Sequence, residues 1–142
     1  MIREYTKEDL EDILAIWLGA SVKAHDFVDG GYWESQVDNM RNMYIPASEN
    51  YVYEQDSKVV GFYSLHEETL AAIFVSPEHQ GQGVGTSLLN HAKSQRTKLS
   101  LSVYKENQAS YAFYLSQGFT VLSEQADEHT GHHEYTMFFT SE

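Results

Sequence analysis

The stretch FVSPEHQGQGVGTSLLNHA, residues 74–92, constrains this chain more than any other. An apolar run ends at Ser76-Pro77, and glycines follow at alternate positions, Gly81, Gly83 and Gly85. A helical pattern then begins, with apolar residues at Val84, Leu88, Leu89 and Ala92. Glycines between a strand and a helix let the backbone turn tightly and let another molecule approach main-chain N–H groups. The first amides of a helix have no intrahelical partner and carry partial positive charge, so such a junction suits a phosphate.

Three readings of the glycines compete on spacing. A P-loop requires a Gly-Lys pair, and Thr86 rather than lysine follows Gly85. The dinucleotide fingerprint requires G-x-G-x-x-G, whereas the spacing here is G-x-G-x-G and no βαβ unit opens the chain. A glycine-rich turn without a ligand remains open on spacing alone.

The surrounding pattern gives a mixed α/β sheet. Residues 1–5 read as a short strand. TKEDLEDILAIWLGASV reads as a helix that Thr6 and Asp9 can cap, with Leu10, Ile13, Leu14, Trp17 and Leu18 on one face. AHDFVDGG reads as a loop, and Tyr32–Tyr44 as a helix stopped by Pro46. Tyr51–Glu54, Val59–Leu65 and Leu70–Val75 read as strands joined by turns, and residues 99–104 alternate as a further strand. NQASYAFYLSQGF reads as a helix capped by Asn107 and stopped at Gly118. Phe119–Leu122 and His133–Phe139 close the sheet. EHTGHH, residues 128–133, is read as a turn before the last strand and not as a metal site.

The 142 residues suffice for one domain, 1–142, with one sizeable core. No repeat or linker interrupts them. There is no cysteine, which excludes a disulfide, a zinc–thiolate site and a thiol acyl-enzyme. The formal charge of −12 argues against nucleic acid as a partner and is compatible with a cationic substrate. No apolar run approaches a membrane span, and the charged opening MIREYTKEDLEDI is unlike a signal peptide, so the expected location is the cytoplasm.

Gln80-Gly81-Gln82-Gly83-Val84-Gly85 resembles the Q/R-x-x-G-x-G/A motif of the GNAT superfamily of acyl-CoA N-acyltransferases. Val103, Asn107, Ala109, Phe113-Tyr114 and Gly118-Phe119 resemble that family's next block, in the family's order. His25-Asp26-Phe27 is similar to the H-x-F loop of its small bacterial N-acetyltransferases. The resemblance implies a GNAT fold, with a central, mostly antiparallel sheet of six to seven strands and about four helices. It implies acetyl-CoA as co-substrate, no metal, and direct attack by a primary amine on a protein or small molecule, in a monomer or homodimer. A non-catalytic acyl-CoA sensor and a partner module are the alternatives.

The resemblance also implies roles. The segment Gln80, Gly81, Gln82, Gly83, Val84, Gly85 and Thr86 would hold the coenzyme A pyrophosphate. The main chain of Phe74 and Val75 would pair with pantetheine, the Val75 N–H polarising the thioester carbonyl. Asn107 would contact coenzyme A. Tyr114 would contact it too and protonate the leaving thiolate. His25, Phe27, Tyr32 and Trp33 would wall the acceptor slot. Some relatives carry a glutamate where this chain has Ser102, so the general base is open among Glu67, Glu68, Glu78, His79, His25 and water. Glu68, near the start of the central strand, is the residue selected.

Overall fold

The computed structural model describes residues 1–141. Seven strands form one sheet in the order β1-β2-β3-β4-β5-β7-β6. They are β1 (Ile2–Glu4), β2 (Glu49–Gln55), β3 (Lys58–His66), β4 (Thr69–Val75), β5 (Lys98–Tyr104), β6 (Thr120–Ala126) and β7 (His133–Thr140). Every pairing is antiparallel except β4 with β5. The helices are α1 (Leu10–Ala24), α2 (Gly30–Ser35), α3 (Val37–Asn39), α4 (Val84–Gln95) and α5 (Gln108–Ser116). The expected mixed, mostly antiparallel sheet is the one observed.

The segment VVGFYSL is apolar almost throughout because β3 is covered on both faces, and all of residues 59–65 are buried. On one face Phe62 and Val52 pack with Ile13, Leu14 and Trp17 of α1 and with Trp33, Met40 and Ile45. On the other, Tyr63 and Leu65 pack with Leu88, Leu89 and Ala92 of α4 and with Tyr114 and Phe119. The start of α1 is pinned to the sheet edge. The buried Asp9 carboxylate accepts from the Thr6 N–H at 2.8 Å and from both terminal nitrogens of Arg3 at 2.9 Å. Arg3 in turn reaches Glu54 on β2 at 2.8 Å. The Arg3 hydrogen bond holds the Asp9 carboxyl below its ordinary range.

Several boundaries differ from the sequence pattern. A 3-10 turn, Lys7–Asp9, precedes α1, and α1 continues to Ala24. The expected single helix over Tyr32–Tyr44 is broken. It starts at Gly30 and is interrupted at Gln36, and after α3 it widens into a π turn over Met40–Tyr44. That turn lets Met40 and Ile45 both point into the core with Trp33, which a uniform helix would not allow. β2 starts at Glu49 rather than Tyr51. β6 runs on to Ala126 although its side chains are mostly exposed, because its ladder with β7 and a bulge at Leu122 carry it where no apolar pattern does.

The sheet is split. β4 and β5 are joined only at Thr69 and Ser100, where the Ser100 N–H donates to the Glu68 carbonyl at 2.9 Å. Immediately beyond, Ser64 faces Ala72 while Leu65 faces Leu70, so Ala71 is an extra residue in β4. Such a bulge bends its strand, and here it follows directly on the last pair with β5.

Asp9→Asn keeps the side chain's shape and removes its charge. It should lower stability by about 1.5–3 kcal/mol in urea unfolding, the range for hydrogen bonds to charged groups. Wild-type stability in this variant would show that the edge pin contributes nothing.

Candidate active site

A cleft of about 1100 Å³ opens where β4 and β5 separate. Its floor is β4 from Leu70 to Val75 and β5 from Leu101 to Tyr104, and α1, α5 and the glycine segment wall it. 

At one end lies the junction that the sequence marks. Gly81 and Gly83 have φ of 80° and 85°, a left-handed backbone that side chains disfavour. Gly83 caps α4 without a side chain, and the first intrahelical bond runs from the Ser87 N–H to the Gly83 carbonyl. The N–H groups of Val84, Gly85 and Thr86 therefore have no partner within the helix and carry the positive end of its dipole. Gly81, Gly83, Gly85, Thr86 and Gln80 line the cleft, while Val84 is buried against β3 and contributes main chain only. Gln82 is exposed beside it. The Gln80 amide donates to the Val75 carbonyl at 3.1 Å, and Lys23 of α1 donates to the Gln80 side-chain oxygen at 3.3 Å. This end thus carries a cation as well as N–H groups.

The middle of the cleft is main chain. The Ser76 N–H donates to the Val60 carbonyl at 2.8 Å, which makes Gly61–Val75 a non-hydrogen-bonded pair. By alternation Tyr63–Ile73 is of the same kind, so N–H and C=O of Ile73 and Val75 point away from β3, across the split. Phe74 does not fit the expected main-chain role: its backbone is tied to Phe62, and its ring stacks on Phe62 on the α1 side, centroids 5.9 Å apart. Ile73, not Phe74, turns its main chain to the split beside Val75, a consequence of register that no sequence pattern revealed.

Asn107 and Tyr114 both line the cleft. The Asn107 side-chain oxygen accepts from the Ser110 N–H at 3.2 Å, capping α5, which leaves its nitrogen 3.1 Å from His25 Nε2. That nitrogen must donate, so His25 Nε2 accepts and Nδ1 carries the ring hydrogen. Nδ1 is buried without a protein partner. Burial lowers the His25 pKa to about 4. Tyr114 is buried with its ring between Phe113 and Phe119, and burial raises its phenol above the ordinary tyrosine range.

His25 and Trp33 line the cleft, whereas Phe27 and Tyr32 stand behind them. Phe27 packs edge-on to Tyr104 with centroids 5.4 Å apart, and Tyr32 edge-on to Trp33 at 5.0 Å. Tyr104 completes this aromatic wall, 5.0 Å from His25, and donates to Asp127 at 2.9 Å.

The β5–β7 side is acidic, with Glu106, Asp127 and Glu134 on the lining. Glu68 does not come here. It lies in the β3–β4 turn at the opposite end of β4, about 20 Å from Val75 at the rise of an extended strand. Glu67 shares that turn, and Glu78 and His79 follow β4 without reaching the lining. Among the described residues no three His, Cys, Asp or Glu side chains converge as a metal site, and no helix is long and apolar enough to cross a membrane.

A mixed sheet split between two parallel strands, with a glycine-led helix opening at the split, defines a protein of the GNAT acyltransferase class. The family model for the acetyltransferase (GNAT) domain matches residues 46–121. The peptidyl-lysine N-acetyltransferase YiaC of Escherichia coli is 36% identical over 123 residues, 86% of this chain and 84% of the relative. The peptidyl-lysine N-acetyltransferase YjaB of Salmonella typhimurium is 31% identical over 121 residues, 84% of this chain and 83% of that one. The solution structure of apo YjaB from Escherichia coli superposes with a TM-score of 0.86 at 27% identity, covering 98% of this chain and 96% of that one. The PaiA N-acetyltransferase of Thermoplasma acidophilum, solved with coenzyme A, shares the fold with a TM-score of 0.81 at 19% identity over 99% and 98% of the two chains. The chain belongs to the GNAT acetyltransferase family and is an acetyltransferase.

Coenzyme A should raise the melting temperature of the wild type. Gly83→Glu, which puts a side chain at left-handed φ and an anion at the start of α4, should abolish most of that rise. An equal rise in both would remove the glycine junction from binding. A second outcome concerns His25. Its pKa is depressed on folding, so the unfolded state binds the extra proton and stability falls with pH between about 6.5 and about 4. From pH 6.5 to 4.5 the wild type should lose about 2 kcal/mol more than His25→Gln in urea unfolding. Parallel losses would show that His25 is not held neutral by burial.

Proposed function

We propose that the 142 residues act as one N-acetyltransferase domain that moves an acetyl group from acetyl-CoA to the primary amine of a lysine side chain. The observation that carries this is the polarity of the cleft. The lining offers the amides at the start of α4 and Lys23 to an anion, strand-like main chain at Ile73 and Val75 to an extended arm, and carboxylates to a cation. A pyrophosphate, an amide-bearing pantetheine arm and an ammonium ion match these three in that order. The arm would add to the exposed edge of β4 as an extra strand does, through main-chain bonds to Ile73 and Val75. YiaC and YjaB, named as peptidyl-lysine N-acetyltransferases, support lysine as the acceptor.

In this reading the Val75 N–H stabilises the developing oxyanion. Holding amine and thioester together supplies proximity. Tyr114 protonates the departing sulfur. Its raised pKa keeps the phenol protonated throughout the neutral range, and a thiolate of ordinary pKa ~8.5 is a good enough leaving group to need only partial proton donation. His25, Trp33 and Tyr104 shape the acceptor's path, and the reaction takes place in the cytoplasm.

Tyr114→Phe removes one hydroxyl and keeps the packed ring. With a lysine peptide as acceptor it should lower kcat by about 10²–10⁴-fold, the range for loss of a general acid. Acetyl-CoA affinity by calorimetry should change much less. A variant retaining half the wild-type kcat would remove Tyr114 from the chemistry and leave binding intact. A wild type that releases thiol with no member of a panel of peptides and small amines would contradict the transferase reading itself.

A further inference from the structure

We infer that Glu134 is the catalytic base that takes the proton from the incoming ammonium, an inference that rests on the acetyltransferase reading above. The sheet register carries it. Tyr104, the last residue of β5, pairs with Glu134 on β7, and Ser102 pairs with Thr136. Directly paired residues share a face, and so do residues two apart on one strand. Glu134, Tyr104, Ser102 and Thr136 therefore lie on one face of the sheet. It is the α1 face, because Tyr104 packs there with Trp33 and His25. Ser102 is the position where the family resemblance raised the expectation of a glutamate. Glu134 stands on the neighbouring strand, one step diagonally away, and lines the same cleft.

The other groups facing this end are engaged or have the wrong chemistry. Asp127 accepts from the His129 and Thr130 N–H groups at 2.7 and 3.2 Å and from the Tyr104 hydroxyl at 2.9 Å. Burial alone would raise its pKa, but these bonds bring it below the ordinary range and make it a poor proton acceptor. His25 presents Nδ1–H, a donor, because Asn107 occupies Nε2. Glu106 is exposed and engages His132 at 3.1 Å. Tyr104 and Tyr32 are raised, chiefly by burial, and stay protonated. Glu134 is half-buried, and its pKa is raised by burial and by Asp127, against a hydrogen bond from Gln125. It is more basic than a solvated carboxylate.

The step balances as follows. The Glu134 carboxylate takes one proton from R–NH₃⁺. The amine lone pair forms the C–N bond to the thioester carbon, and the C–S bond then breaks as sulfur takes the Tyr114 proton. The second amine proton returns to the Tyr114 oxygen, and the proton on Glu134 leaves to solvent. The products are the amide, the thiol and one proton.

Glu134→Gln is nearly isosteric and tests this. With a lysine peptide at pH 7.5, kcat/KM for the peptide should fall about 10²–10⁴-fold, the range for general-base loss. Calorimetric acetyl-CoA affinity should stay within about threefold, because Glu134 is not among the groups that would hold the pyrophosphate. The signature is the pH profile. The variant must use amine already neutral in solution, so its kcat/KM should climb about tenfold per pH unit from 7 to 9 and close much of the gap, given a lysine pKa of ~10.4. His25 and Asp127 do not titrate in that interval, and His132 is common to both proteins, so the comparison isolates Glu134. Rates within twofold of wild type, or a loss that does not shrink as pH rises, overturn the assignment. A wild type inactive on every amine overturns the transferase reading and the base with it. An active wild type matched by the variant overturns only the base.

Discussion

A backbone amide or carbonyl inside a sheet normally has its partner on the next strand, and leaving it without one costs about 1–3 kcal/mol if it is buried. The molecule is organised around a place where that pairing is interrupted. β4 and β5 meet at Thr69 and Ser100 and nowhere further along. The interruption is tolerable because β4 is laddered to β3 on its other side at every residue but Ala71, and because β5 is anchored over its whole length to β7. Two well-made half-sheets can therefore stand apart and keep their geometry. The bulge at Ala71 is the local device, and the buried β3, covered by α1 on one face and α4 on the other, is the support.

The separation has chemical consequences in sequence along the cleft. The main chain of Ile73 and Val75 is turned outward by the same alternation that pairs Phe74 with Phe62. The chain leaving β4 has to turn to start α4, and the turn leaves three helix amides facing the same opening. On the other wall of the split, β7 brings Glu134 beside Tyr104. Asn107 links the two walls: it caps α5 with its oxygen and fixes the His25 tautomer at the end of α1 with its nitrogen. A single polar side chain thus couples the start of one helix to the loop after another.

How much of this was legible in the sequence depended on whether the cause was local. The glycine junction, the α1 stripe, the continuous apolar β3 and the Asn107 cap are local signals, and they appear where the pattern puts them. The broken segment after Gly30 was not legible, because the π turn at Met40–Tyr44 answers to packing against Trp33 and α1 rather than to its own propensity. The site divided in the same way. Gln80, Gly81, Gly83, Gly85, Thr86, Asn107 and Tyr114 reach the cleft, and each belongs to a contiguous motif. The selection of Glu68 failed because nearness along β4 says nothing about which end of the strand faces the opening. Ile73 and Glu134 were missed because their roles come from register, and register between strands distant in sequence leaves no trace in either strand alone. A closing strand over His133–Phe139 was visible, but not that Glu134 would lie opposite Tyr104.

The central claim is that the split edge of β4 is where the thioester arm lies. It is tested most directly by following the backbone amides of a ¹⁵N-labelled chain by NMR while acetyl-CoA is added. The account predicts that the amides of Ile73 and Val75 move together with those of Val84, Gly85 and Thr86 and saturate at one ligand concentration. The amide of Phe74, tied to β3, should move least among its neighbours. Shifts confined to residues 84–86, or an undisturbed Val75 amide at saturation, would contradict it.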